Sequence, residues 1–169
     1  MASIHPQHGL DALRGALERK GLPAAVLLHG PEEHFRSEGL KLLLGALGDL
    51  DVAQLDGSSP PEALAALPLD LQTAALFGGG KLIVLRESLA LSGKGRDARL
   101  EEALLRFLAQ PVPGIHLAVM RREKLEQRAP LLKAVQAARG TVLLCRELYA
   151  TPFPGRKAWE SELHAWILD

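Results

Sequence analysis

Five short apolar runs, none joined to the next by a hairpin turn, limit what this chain can fold into more than any other feature. They cover residues 24–28, 51–56, 81–86, 115–120 and 141–145, and each is followed by a stretch whose apolar residues recur at helical spacing. Strands linked through helices pair parallel, because each crossover returns the chain to the same end of the sheet. The predicted fold class is therefore α/β, a three-layer α/β/α arrangement around a five-stranded parallel sheet. Lys81-Leu82-Ile83-Val84-Leu85-Arg86 carries the strongest signal, with apolar residues at successive positions, as in a strand covered on both faces.

The helices are placed by their apolar spacing and their stops. Leu10, Leu13 and Leu17 mark a helix over 7–20 that ends at Gly21 and Pro23. Gly57-Ser58-Ser59-Pro60-Pro61 predicts a turn with a serine N-cap, and Leu64 and Leu67 a short helix that Pro68 interrupts. Asp70 is then placed to cap a second short helix through Phe77, closed by Gly78-Gly79-Gly80. Leu100, Leu104, Phe107 and Leu108 share one face of a further helix. Another is expected over about 125–138, closed by Gly140, and a last one over 157–168. Trp159 and Trp166 fall on one side of that last helix, and Trp166 is expected to be partly exposed.

The first strand runs into Gly30-Pro31-Glu32-Glu33-His34-Phe35-Arg36-Ser37, the strand, loop and helix of a phosphate-binding loop. A working loop of this kind has the pattern G-x-x-x-x-G-K-[ST], in which glycines let backbone N–H groups wrap the phosphates and the lysine neutralises them. Gly30 and Ser37 keep the outer places. Phe35 stands at the second glycine and Arg36 at the lysine, while Glu32 and Glu33 set negative charge where phosphate would lie. The frame reads as a P-loop fold with a degenerate nucleotide site, and no cofactor is expected. A nucleotide hydrolase also needs an acidic pair at the end of a buried strand to hold magnesium. The candidate strands end in Arg86-Glu87 and Met120-Arg121, so neither supplies it, and no catalytic residue is assigned.

Lysine plus arginine equals aspartate plus glutamate at 20 each, so no overall field draws the chain to nucleic acid. Arg121, Arg122, Lys124 and Arg128 make one region locally basic; a solvated face is the default reading, and a DNA or partner contact the alternative. His29 and His34 flank the loop without a convergent ligand set, and no metal is expected; His116 reads as a hydrogen-bonded sheet histidine. The single cysteine, Cys145, reads as a small buried hydrophobe and fits a reducing compartment. No segment approaches the length of a membrane span, and the N-terminus lacks a basic start followed by an apolar run, so the expected location is the cytoplasm. Leu76 and Phe77 would on spacing alone belong to the core. Three glycines follow them, however, and at such an element end large apolar groups can be presented to a partner.

Taken in order, these residues resemble the N-terminal domain of the delta subunit of the bacterial DNA polymerase III clamp loader. The likeness is carried by Val26-Leu27-Leu28-His29-Gly30 followed by an acidic pair and Phe35, by Leu76-Phe77 before Lys81–Arg86, and by Lys124-Leu125 leading to Leu131-Leu132-Lys133-Ala134. It implies an AAA+-like domain over residues 1–150 without a functional P-loop, and over 151–169 the start of a helical segment leading to a lid and collar region absent here. It implies no intrinsic catalysis, within a polymerase holoenzyme that is itself a nucleotidyltransferase. The implied role is to bind the sliding clamp, the beta subunit, and help open it for loading onto DNA. The other implied partners are the remaining clamp-loader subunits, with DNA contacted in the full complex. The resemblance places the clamp-binding pair on Leu76 and Phe77, with Ala74 where a larger apolar residue often stands. An active P-loop ATPase or nucleotide kinase using Arg36 and Ser37, and a nucleic-acid-binding module using the basic region, are the alternatives.

Overall fold

A computed structural model describes residues 5–73, 80–87, 97–152, 154–157 and 160–168. Its elements are α1 (Pro6–Lys20), β1 (Ala25–His29), α2 (Glu33–Gly45), β2 (Asp51–Leu55), α3 (Pro61–Asp70), β3 (Lys81–Arg86), α4 (Ala98–Ala109), β4 (Ile115–Arg121), α5 (Pro130–Ala137), β5 (Thr141–Leu144) and α6 (Glu162–Leu168). The strands form one sheet in the order β2-β3-β4-β1-β5, every neighbouring pair parallel, as the absence of hairpin signals requires.

Two apolar clusters, one on each face, make the three layers. Leu10, Leu13 and Leu17 of α1 and Phe35, Leu40 and Leu43 of α2 cover Val26, Leu28, Leu82 and Val84. On the other face Leu67 of α3, Leu100, Leu104 and Leu108 of α4 and Leu132 and Val135 of α5 cover Leu27, Ile83, Leu85 and Val119. Residues adjacent along β1 and β3 thus point into different clusters, and all five residues of β1 are buried. This is why those strands lack polar alternation. β2, at the margin, keeps Val52 41% exposed and does alternate.

Several boundaries differ from the expectation, each for a local reason. Pro68 does not break α3, which runs on to Asp70. A proline there removes one backbone donor near the helix end, and Leu67 and Leu71, both fully buried, hold that turn in the core, with the Leu71 N–H donating to Leu67 O at 3.0 Å. Asp70 thus ends α3, and its carboxylate pairs with Lys81 Nζ at 2.9 Å; the second short helix expected through Phe77 lies mostly outside the described residues. The N-cap of α3 is Pro60 rather than a serine, because the Ser59 hydroxyl is engaged by the Asp56 N–H at 2.9 Å. α5 starts at Pro130, a residue favoured at the first helical position, and not near 125, because the Leu125 N–H is bound to a side chain elsewhere. At its other end Arg139, with φ +55°, takes the left-handed place assigned to Gly140. The last helix is confined to Glu162–Leu168.

Candidate functional site: the loop after β1 and the ends of β3 and β4

The loop after β1 is fastened on every side by the chain itself. Gly30 has φ +129° and its N–H donates to Arg121 O at 3.0 Å; a Cβ at this position would strike the Cys145 carbonyl. Glycine is thus required by the close approach of the end of β5, independently of any ligand. Cys145 donates to His29 O at 2.7 Å and accepts from the Glu32 N–H at 2.9 Å, stitching the loop to β5. Its thiol is fully buried, and burial pushes its pKa up to about 12, so it is inert at neutral pH.

Each residue that departs from the phosphate-loop pattern has a structural role. Glu32 is the N-cap of α2, its carboxylate accepting from the His34 N–H at 3.2 Å. Glu33 opens the helix, exposed, where its charge suits the positive helix end. Phe35 is helical and 1% exposed, its ring edge-on to those of His5 and His34. Arg36 is 4% exposed and folds back on its own loop: Nη1 donates to Gly30 O, and Nε lies 3.4 Å from Glu87 Oε1. The guanidinium therefore occupies the concave side of the loop, where a phosphate would have to sit.

Glu87 completes the arrangement. It follows β3 with φ +42°, a strained conformation for a glutamate, and its other carboxylate oxygen accepts the Arg122 N–H at 2.9 Å. Glu87 is a lone acid and not the acidic pair that a magnesium site needs, and the partner of its carboxylate is Arg36. A lone acid closing a buried strand opposite an arginine in the phosphate loop is the signal that could have found it. Next to these groups, at the carboxyl ends of β3 and β4, lies an open cavity of about 230 Å3 bordered by Arg36, Ser37, Arg86, Glu87, Met120 and Arg122.

His29, the last residue of β1, is 3% exposed, and its Nδ1 accepts the Leu125 N–H at 3.0 Å. Burial, helped by the charge of Lys124, lowers its pKa to about 4, so the ring is neutral as the bond requires. His116 Nδ1, near the start of β4, lies 2.9 Å from Pro23 O. Of the basic region, Arg121 is 7% exposed and paired with Glu123 at 3.2 Å, and Arg128 pairs with Glu126 at 3.0 Å. Arg122 and Lys124 are exposed.

The chain beyond β5 returns over the same loop. Arg146 holds Glu162 through two hydrogen bonds of 2.7 and 2.6 Å, keeping that carboxyl below its ordinary range, and lies 4.4 Å from the Tyr149 ring centroid. This seats α6 so that Trp166, half-buried, stands 5.2 Å from His34 and 6.0 Å from Phe35 between ring centroids. Trp166 is thus partly exposed as expected; Trp159 lies outside the described residues.

A sequence model of the DNA polymerase III delta subunit matches residues 48–146, a span running from β2 through β5. The chain belongs to the DNA polymerase III delta subunit family. Among solved structures, this delta-family chain is similar to the DNA clamp loader delta protein of Bacillus subtilis, with a TM-score of 0.66 at 19% identity over 83% of this chain and 43% of that one. It also resembles the Thermotoga maritima RuvB Holliday junction branch migration motor (TM-score 0.52, 17% identity, 86% and 45% covered). The Aeropyrum pernix ORC1 protein, solved in complex with DNA, gives a TM-score of 0.51 at 16% identity, with 89% and 47% covered. At these identities the likeness establishes the fold, an AAA+-like P-loop architecture. The chain spans less than half the length of each of these three proteins. No curated protein matches it.

In this delta-family chain Ala74, Leu76 and Phe77 lie outside the described residues, between α3 and β3. Both flanks are anchored. On one side Leu71 is buried and the Thr73 hydroxyl donates to Leu69 O at 2.9 Å; on the other, Gly80 O accepts from the Asp51 N–H at 3.1 Å and the Lys81 N–H donates to Gly114 O at 2.8 Å. Among the described residues no helix is long and apolar enough to cross a membrane, and no group of three or more metal-ligating side chains converges.

Proposed function

We propose that this chain is the clamp-binding part of a clamp-loader delta subunit, which takes hold of the sliding clamp and helps open it for loading onto DNA. The observation that carries the proposal is the membership in the delta family, whose match includes the segment with Leu76 and Phe77. The closed loop after β1 is consistent with it: with Arg36 on Gly30 O and Glu87, a guanidinium fills the concave side of the loop of a nucleotide-binding frame. Such a subunit acts by binding.

Leu76 and Phe77 are the anchor, with Ala74 a small third contact. Burying a leucine and a phenylalanine in a pocket contributes roughly 1.5–3 kcal/mol each, enough to dominate a small interface. Residues 151–169 begin the connection to a lid and collar through which the other loader subunits are held. Arg122 and Lys124 are the exposed cations available to DNA in the full complex.

The test is capture of the sliding clamp from the same source. Leu76→Ala with Phe77→Ala should weaken it by about a hundredfold, near 2.7 kcal/mol, and leave the melting temperature almost unchanged. If the pair belongs instead to the core, truncating the phenylalanine costs about 3–5 kcal/mol of stability. A double variant that unfolds, or that stays folded and binds at full strength, removes the assignment.

A further inference from the structure

Arg86 ends β3 and pairs in register with Met120, so that Arg86 and Arg122 leave the sheet on neighbouring strands at its carboxyl edge. Both border the 230 Å3 cavity, and Ser37 faces it from α2. In open parallel sheets this edge is where ligands bind. Among the described residues neither guanidinium has a carboxylate within 4 Å, and the Ser37 hydroxyl makes no hydrogen bond. The nearest acid, Glu87, is committed, one oxygen to Arg36 and the other to the Arg122 backbone. Three arginines thus stand against two glutamates around a concave site, and the two outer arginines are uncommitted.

We propose that this cavity is a site for one phosphate-type oxyanion, a phosphate monoester or free phosphate, held by Arg86 and Arg122 with the Ser37 hydroxyl as a neutral donor. A single tetrahedral oxyanion needs no wrapping loop. The planar fork of an arginine meets two of its oxygens at once, and two forks from adjacent strands can engage one phosphate. The closed loop after β1, which excludes a triphosphate chain, is no obstacle to it. Glu33 at the rim opposes the charge and keeps the affinity in the millimolar range. The site is independent of clamp binding, and its failure would leave the proposed function untouched.

The experiment is thermal unfolding of the 169-residue chain in phosphate against chloride at matched ionic strength. For a dissociation constant near 5 mM, about 50 mM phosphate raises the melting temperature by roughly 4 °C. Arg86→Gln with Arg122→Gln should abolish the rise. AMP at equal concentration separates the sources: an equal rise identifies a nucleotide-borne monoester, a rise with inorganic phosphate alone identifies the free ion, and both support the site. No rise with either, or a rise that survives in the double variant, overturns it. Should the double variant not fold, a phosphorus NMR titration of the wild type against Arg122→Gln alone decides, since that side chain is exposed. Equal line broadening in both proteins overturns the site.

Discussion

The loop after β1 and the edge formed by the ends of β3 and β4 border one cavity but use their polar groups in opposite ways. In the loop Arg36 is turned to Gly30 O and Glu87 and Glu32 to the His34 N–H, and at the end of β1 His29 is turned to the Leu125 N–H. At the edge, Arg86 and Arg122 have no carboxylate within 4 Å among the described residues. The polar groups of such a frame can therefore be satisfied by the chain's own side chains. Changes in the loop should then be read in stability, and changes at the edge in binding.

The largest effect should come from Gly30→Ala. The added methyl meets the Cys145 carbonyl, and φ +129° is foreign to alanine. A loss of about 4 kcal/mol is expected in urea unfolding, at the upper end for a single substitution; a loss under about 1 kcal/mol would show that the loop can relax.

His29 should give the next effect, through pH. Its folded-state pKa is about 4 against an ordinary 6.5, so between these values the unfolded chain takes up a proton that the folded chain refuses. The stability that depends on the neutral ring is complete above pH 6.5, declines as the pH falls from 6.5 toward 4, and is gone below, a change of up to about 3 kcal/mol. His29→Asn, which keeps an acceptor without titrating, should lose less stability over that interval than the wild type. Parallel pH profiles for the two proteins would show that the ring is not the sensor.

Arg36→Met should cost about 2 kcal/mol, because Gly30 O loses its donor and Glu87 its cation while the aliphatic part of the side chain is kept. A fall of about 6 °C in melting temperature follows for a chain of this length. An unchanged melting temperature would mean that water replaces the guanidinium without loss. The smallest effect is expected from ATP with magnesium. Calorimetry should detect no binding tighter than about 100 μM, the range of ordinary enzyme substrates, and a tighter constant would reopen the loop as a nucleotide site.

The sheet was legible because its signals are local. Lys81–Arg86 is a strand with the expected bounds, since an apolar run closed by charged residues admits few other readings. The departure of the loop from the phosphate-loop pattern was legible too, with Phe35 and Arg36 at positions where such a loop needs glycine and lysine. The partners of these groups were not, because Arg36 meets Glu87 and His29 meets Leu125 across long stretches of chain. No periodicity records such a pairing. Pro68 misled for a related reason: the proline rule is local, whereas the burial of Leu67 and Leu71 that carries α3 past it is tertiary.

The strand order has a consequence for how the chain is made. β1 is synthesised early, yet its neighbours in the sheet are β4 and β5, with Ala25 opposite Leu117 and Val26 opposite Thr141. Until those residues leave the ribosome β1, an interior strand, has no partner, whereas β2 and β3 can already join through Asp51 and Lys81. Long-range pairings of this kind slow folding and leave apolar strands exposed meanwhile. β1 therefore joins the sheet only when β4 emerges and β5 closes the edge beside it last, and a nascent chain halted before Ile115 carries an unpaired β1 as its most aggregation-prone segment.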